Sequence, residues 1–118
     1  MATSKWPDGF SSLTNQSAVQ NGAVADISDL KQLDYGVNLA ASGPITAGVL
    51  VLESSNDPVQ VTPWFLIISL DATALADLSN FAFQSGGPKP FGKYARWRIA
   101  EEIVDGTVDA FINGQHVM

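Results

Sequence analysis

Few side chains in this sequence could act as an acid, a base, a nucleophile or a metal ligand. The chain has no cysteine, and its one histidine is His116. These counts exclude a thiolate nucleophile and a multi-histidine metal site, and they disfavour a Ser-His-Asp triad. Glu101 and Glu102 are adjacent, so on a strand they would point to opposite faces and could not share one catalytic site. We therefore expect no catalytic residues and predict that the protein is not an enzyme.

Motifs for ions and cofactors are equally weak. Glu53, Asn56 and Asp57 could offer the oxygen ligands that Ca²⁺ prefers, but the spacing of a DxDxDG calcium loop is missing. Asx residues before a proline are ordinary turn formers. The only glycine pair that could cradle a phosphate is followed by Pro88, which has no backbone N–H to donate. The sequence thus predicts neither a metal site nor a bound cofactor.

The charge of the chain narrows the choice of partners. Six basic residues stand against twelve acidic ones, for a net charge of −6, which argues against a general nucleic-acid-binding protein. Only 15% of residues are charged, whereas an ordinary domain has about 25%. A charge-poor surface is typical of the centres of protein interfaces. It also fits a secreted or extracellular β-protein with a neutral polar face.

The sequence offers no segment for membrane insertion or export. Its longest apolar run, residues 64–68, has five residues, whereas a spanning helix needs about 20. The first ten residues, MATSKWPDGF, lack the apolar stretch of a signal peptide. We expect a protein that contacts no membrane and is kept in the cytoplasm, or is assembled there into a particle.

The chain divides into an N-terminal segment and one domain. Residues 1–22 are rich in polar side chains and glycine, with isolated anchors such as Trp6 and Phe10 and no regular period. We interpret them as an extended arm that lies either across its own domain or across a partner. Residues 23–118 are predicted to form a single antiparallel β-sandwich or jelly roll of about six to eight short strands.

Alternating and continuous apolar patterns define these strands. Residues 34–40, 94–99 and 107–113 alternate, as half-buried strands do. Residues 45–54 form a strand in which residues 49–52 are apolar on both faces, and residues 64–70 form another strand apolar on both faces, which predicts cover on both sides. The inward rows of the two C-terminal strands are predicted to be Ala95, Trp97 and Ile99, then Val108, Ala110 and Ile112.

Turn residues suggest how the strands connect. Asp105-Gly106 is typical of a hairpin turn, which would place Glu102 opposite Asp109. Because facing like charges are unfavourable, we expect a bulge or longer loop within residues 100–106. Residues 85–90 contain two glycines and two prolines and are predicted to be a loop.

Three further local structures are predicted. Residues 28–33 could form one helical turn with Ser28 as the N-cap, and residues 72–78 one or two turns after Asp71. The Asn113-Gly114 pair is typical of a turn before the C-terminal tail.

The candidate binding residues are aromatic and basic. Tyr94, Arg96 and Arg98, which we call the basic strip, are predicted to line the outward face of one strand, with Phe111 outward on the next. The strip could face an acidic partner, or its arginines could pair with nearby carboxylates such as Asp109. Trp64 and Trp97 are predicted to be core, whereas Trp6 and Phe10 are candidate anchors for a partner protein.

Four successive segments carry a family resemblance: VLVLESSND, PWFLIISLDATA, YARWRI and DGTVDAFING. In this order, over residues 34–114, the chain resembles the head decoration (cement) proteins of tailed bacteriophages. The resemblance implies a non-enzymatic virion protein on the capsid surface. Such a protein binds the major capsid protein lattice, self-associates there into a homo-oligomer and stabilises the head.

An alternative function is a carbohydrate- or receptor-binding β-sandwich of a phage tail or a cell surface. Such a module needs at least two solvent-facing aromatic side chains on one sheet face. Tyr94 and Phe111 are the candidates for that pair.

Overall fold

A computed structural model of the chain describes residues 2–6, 9–41, 45–56, 64–73, 84–88 and 92–117. These residues form ten β-strands and no helix, so the all-β prediction is confirmed. None of their segments is a helix long and apolar enough to cross a membrane. In chain order the strands are β1 (Ala2–Ser4), β2 (Phe10–Gln16), β3 (Gln20–Asn21), β4 (Ala25–Asp26), β5 (Gln32–Ala40), β6 (Ala47–Ser55), β7 (Phe65–Asp71), β8 (Gln84–Pro88), β9 (Tyr94–Val104) and β10 (Thr107–Val117).

The strands form two antiparallel sheets. Sheet 1 has the order β1-β10-β5-β8, and β2 also pairs with β10. Sheet 2 has the order β3-β9-β6-β7, and β4 also pairs with β9. The chain therefore crosses repeatedly between the sheets, which brings residues distant in sequence into one core.

The core lies between the two sheets and is centred on Trp97. This side chain is fully buried on β9, and its ring contacts that of Tyr35 on β5 edge-on, with the centroids 6.0 Å apart. Its Nε1 donates a hydrogen bond of 2.9 Å to the Phe111 carbonyl oxygen on β10. The two predicted inward rows are both confirmed as buried: Ala95, Trp97, Ile99, Val108, Ala110 and Ile112.

The described part of the N-terminal segment lies across its own domain, which is the first of the two alternatives. Strand β2 pairs with β10, and Leu13 is 3% exposed within the core. Ser12 Oγ accepts a 2.9 Å hydrogen bond from the Trp97 backbone N–H and donates one of 2.8 Å to the Ala23 carbonyl oxygen. A polar segment without apolar periodicity is therefore held by sheet pairing and by one buried serine.

The prediction of a hairpin at Asp105-Gly106 is wrong, because this turn carries the chain from sheet 2 to sheet 1. Strands β9 and β10 belong to different sheets, so Glu102 and Asp109 are not cross-strand partners. Asp109 instead accepts a 2.6 Å hydrogen bond from the Asn15 backbone N–H on β2. The expected irregularity is present, since the β6–β9 register shifts twice near the C-terminal end of β9.

The turn predicted at Asn113-Gly114 is also wrong, since β10 continues to Val117. Gly114 lets β10 pass close to residues 30 and 32, because a Cβ there would meet the Leu30 side chain and the Gln32 carbonyl oxygen. The Asn113 side-chain amide forms two hydrogen bonds with the Trp6 backbone, as a neighbouring strand would. Its Oδ1 accepts from the Trp6 N–H at 3.2 Å, and its Nδ2 donates to the Trp6 carbonyl oxygen at 2.8 Å.

Part of the predicted loop at residues 85–90 is strand β8. It pairs with β5 at the end of sheet 1, with Pro88 opposite Gln32. An edge position accommodates a proline, because one side of the strand needs no donor for the sheet. Gly/Pro content alone therefore overestimated the irregularity of this segment.

At both positions where a helix is predicted to begin, an aspartate side chain forms a local turn. Asp26 Oδ1 accepts from the Ser28 N–H and hydroxyl at 2.9 and 2.6 Å, and the chain then turns into β5 without forming a helix. Asp71 Oδ1 accepts from the Thr73 N–H and hydroxyl at 2.9 and 2.7 Å. Such Asx turns satisfy the same donors as a helix cap. Most of the predicted helix at residues 72–78 lies outside the described residues.

Candidate docking surface

The outward face of β9 contains a buried ion pair. Arg96 points away from the core residue Trp97, yet its Nε donates a 2.8 Å hydrogen bond to Glu53 Oε1 on β6. The two side chains are each 7% exposed. Arg98 Nε reaches the same oxygen at 3.2 Å, and its side chain is 36% exposed. One carboxylate is thus shared by two guanidinium groups.

Trp64 lies over this ion pair. The Arg96 guanidinium carbon is 4.1 Å from the centroid of the Trp64 ring, a distance suited to a cation–π contact. Trp64 precedes β7, on the opposite side of β6 from β9. The prediction that Trp64 belongs to the core is therefore wrong: the ring is half-buried and packs on Arg96 at the outer face of sheet 2. The buried guanidinium thus has a carboxylate as its hydrogen-bond acceptor and an aromatic ring against its face.

The reading of the basic strip as an electropositive surface is wrong for Arg96. The alternative, that the arginines pair with a nearby carboxylate, is correct, but the carboxylate is that of Glu53 rather than Asp109. Sequence could not identify this partner, because the Glu53–Arg96 register depends on how β6 and β9 align. Arg98 and Tyr94 remain partly exposed on this face.

The other aromatic candidates lie elsewhere. Phe111 is half-exposed on β10, in the sheet opposite Tyr94 on β9, so these two side chains cannot form one platform. Trp6 and Phe10 pack together against the core with ring centroids 5.3 Å apart. Lys5 Nζ lies 5.0 Å from the Trp6 ring centroid. Both anchors therefore hold the N-terminal segment to its own domain.

A surface that the sequence did not predict lies on β7. The double cover expected there is absent at Phe65 and Leu66, whose exposed fractions are 44% and 63%. Strand β6, with the same apolar pattern, is covered as predicted: Val51 and Leu52 are both buried. Central and edge strands of similar composition cannot be told apart by periodicity, so the position of β7 at the end of sheet 2 was the missing information.

We define the candidate docking surface as Leu66, Tyr94 and Arg98, which share the outer face of sheet 2, whereas the adjacent Phe65 points to the other face. Leu66 pairs in register with Glu53, whose other register partner is Arg96, so the surface is built around the buried ion pair. The three residues combine apolar and aromatic groups with one partly exposed cation. Such a mixture is suited to association with another protein.

Within the described ranges, no three acidic or histidine side chains are grouped as a metal site would require. Glu101 and Glu102 are exposed near the end of β9. Asp57 of the possible calcium turn lies outside these ranges, and Glu53 is engaged by arginines. The pKa of Asp71 is lowered by the hydrogen bonds from the Thr73 hydroxyl and backbone N–H.

A scan against protein-family models finds no match, and the searches of curated proteins and of solved structures give no significant match either.

Proposed function

We propose that this chain is a capsid decoration (cement) protein of a tailed bacteriophage. It binds the major capsid protein lattice from the outside, self-associates there and stabilises the head, without catalysis and without contact with nucleic acid or membrane. Assembly takes place in the cytoplasm of the host. The observation that carries this proposal is the candidate docking surface, where Leu66 stays exposed beside a charge cluster that is satisfied internally.

The order of the strands supports the finer fold that accompanies this proposal. Strands β2-β10-β5-β8 form one sheet and β3-β9-β6-β7 the other, while β1 and β4 extend the positions of β2 and β3. This arrangement supports a jelly roll, in which eight antiparallel strands in two sheets are joined as two Greek keys. Jelly rolls occur in viral capsid proteins and also in lectins, so the fold by itself does not choose the function.

The protein associates with the capsid through a surface whose desolvation costs little free energy. Arg96 and Glu53 are already buried against each other, so docking does not have to remove their hydration. Tyr94 and Leu66 provide contact area, and Arg98 can meet an acidic group of the capsid. On a lattice, many copies add avidity to individually weak contacts.

The carbohydrate-binding alternative depends on aromatic pairs. Tyr94 and Phe111, the two candidates, lie in different sheets, and Trp6 is packed against its own domain. A flat protein surface therefore suits the exposed residues better than a sugar ring does. A glycan array distinguishes the two functions directly.

Co-sedimentation with heads tests the proposal. Heads of the phage that encodes the chain, assembled in its absence, are mixed with purified protein and pelleted. We expect saturable pelleting that Tyr94→Ala reduces severalfold, because Tyr94 lies on the docking surface. The matched control is Phe111→Ala, which removes a half-exposed aromatic side chain from the opposite sheet and leaves pelleting unchanged.

Two results would overturn the proposal. One is wild-type chain that stays in the supernatant at every concentration. The other is saturable binding to glycans without binding to heads, which would establish the carbohydrate-binding alternative.

A further inference from the structure

Strand β7 ends sheet 2, and among the described strands it pairs only with β6. An open edge presents unpaired N–H and C=O groups, which makes it a template for pairing with another chain. Proteins usually protect such edges with lysine, proline or an inward-pointing charge. The seven residues of β7, FLIISLD, contain no lysine or proline, and their one charge is at the last position, Asp71.

We propose that β7 pairs antiparallel with β7 of a second copy of this chain, so that the two copies of sheet 2 become one continuous sheet. In a pair centred near the middle of β7, Phe65 of each copy lies close to Asp71 of the other. The edge of each β7 strand that β6 does not occupy is thereby filled by a matching strand. Such an interface is isologous and closes as a dimer.

The charge pattern of β7 selects this direction. In an antiparallel pair the two Asp71 carboxylates lie at opposite ends, about 20 Å apart at ~3.4 Å per residue. That separation exceeds the Debye length of about 8 Å at physiological ionic strength, so their repulsion is screened. A parallel pair in register would place the two carboxylates side by side, which is unfavourable.

The β7 register against β6 shifts between Leu66 and Ile68, which places Leu66 on the outer face and Leu70 on the core face, so we assign the direction of the pair and not a residue-by-residue register. The area is modest, because only one strand per copy takes part. It falls below the roughly 1,200 Å² of a stable interface, so the dimer forms in a concentration-dependent way.

This inference rests on the proposed function in one respect: it identifies β7 of a second copy as the partner in the proposed self-association. A dimer also presents two Tyr94–Arg98 faces together, which raises avidity on a lattice. The pairing itself is measurable on the free chain, without heads.

Sedimentation equilibrium of the purified chain is the test. We expect the average mass to rise from 12.5 kDa towards twice that value as concentration increases. Phe65→Asp places a carboxylate close to Asp71 at both ends of the pair, and Phe65→Lys places a cation there instead. Because like charges on neighbouring strands repel and opposite charges attract, we expect the lysine variant to dimerise severalfold more tightly than the aspartate variant.

Val19 supplies the matched control for net charge. It is 62% exposed between β2 and β3, away from the β7 edge. Val19→Asp and Val19→Lys change the net charge as the Phe65 variants do, and we expect both to dimerise like the wild-type chain. Near-UV circular dichroism of the aromatic side chains, which include the buried Trp97, verifies that each variant is folded.

Two results would overturn the inference. One is a chain that stays monomeric up to about 1 mM, which excludes a dissociation constant below that concentration. The other is an equal effect of Phe65→Asp and Phe65→Lys on dimerisation. A monomeric chain that still pellets with heads would refute the dimer alone and leave the proposed function standing. A chain that dimerises but never pellets with heads would refute the proposed function and leave the dimer standing.

Discussion

Glu53 and Arg96 are register partners on β6 and β9, and a 2.8 Å hydrogen bond from Arg96 Nε to Glu53 Oε1 joins their buried side chains. The pair lies on the outer face of sheet 2, on the other side of β9 from Trp97. Arg98 shares the same carboxylate oxygen, and Trp64 covers the Arg96 guanidinium. What looks in the sequence like a basic binding strip is therefore largely a structural cluster beneath the candidate docking surface.

The first prediction concerns this cluster. Glu53→Gln keeps the shape of the side chain but leaves Arg96 buried with no formal counter-charge from that position. Breaking a buried ion pair by removing one partner costs about 3–5 kcal/mol. We expect urea unfolding to show a loss of that size.

The matched control is Glu101→Gln, which makes the same change at an exposed position on β9. Surface substitutions of this kind alter stability by about 0.5 kcal/mol or less. Equal stabilities of the two variants would show that Glu53 does not neutralise the arginines.

The second prediction tests the buried serine that connects β2 with β9. Ser12→Ala removes the acceptor of the Trp97 N–H and the donor to the Ala23 carbonyl oxygen. Leaving a buried donor unsatisfied costs about 1–3 kcal/mol. We expect a loss in this range by urea unfolding and faster hydrogen exchange at the Trp97 amide. Unchanged exchange there would contradict the bond.

The third prediction separates a core strand from a detachable arm. Leu13 is buried on β2, so Leu13→Ala should reduce the free energy of unfolding by about 2–5 kcal/mol. The exposed Val19 offers the control Val19→Ala, for which we expect almost no change. If Leu13→Ala were as stable as Val19→Ala, residues 10–16 would be an arm that does not contribute to the fold.

The fourth prediction concerns pH. The Thr73 hydroxyl and backbone N–H lower the pKa of Asp71 in the folded protein, so their stabilising effect is present above the ordinary carboxyl pKa and is lost as the pH falls through the lowered one. Thr73→Val removes the hydroxyl, and we expect the pKa of Asp71 to rise towards its ordinary value. An NMR titration of the Asp71 carboxyl measures the change. An unaltered pKa would mean that the hydroxyl has no part in lowering it.

Local patterns were sufficient for much of the fold. The alternation of residues 94–99 and 107–113 identified the buried rows that contain Trp97 and Ile112, because side chains on a strand alternate between faces. The same rule placed Arg96 on the outward side. The continuous apolar run in β6 correctly indicated cover on both faces.

Topology explains the errors. Whether Asp105-Gly106 closes a hairpin or joins two sheets depends on partners far away in the chain, and so does the neutralisation of Arg96 by Glu53. Exposure of Phe65 and Leu66 follows from the edge position of β7, which no local pattern reveals. Asn113 and Gly114 have the composition of a turn, but contacts with Trp6 and Leu30 keep them in a strand.

The central claim is that this chain stabilises a capsid by binding its surface. Calorimetry of undecorated heads, with and without saturating chain, tests it most directly. A ligand that binds the assembled lattice in preference to its separated subunits must raise the rupture temperature. We predict a saturable rise, which Tyr94→Ala shifts to higher protein concentration and Phe111→Ala does not. A rupture temperature that stays the same in excess chain would contradict the claim.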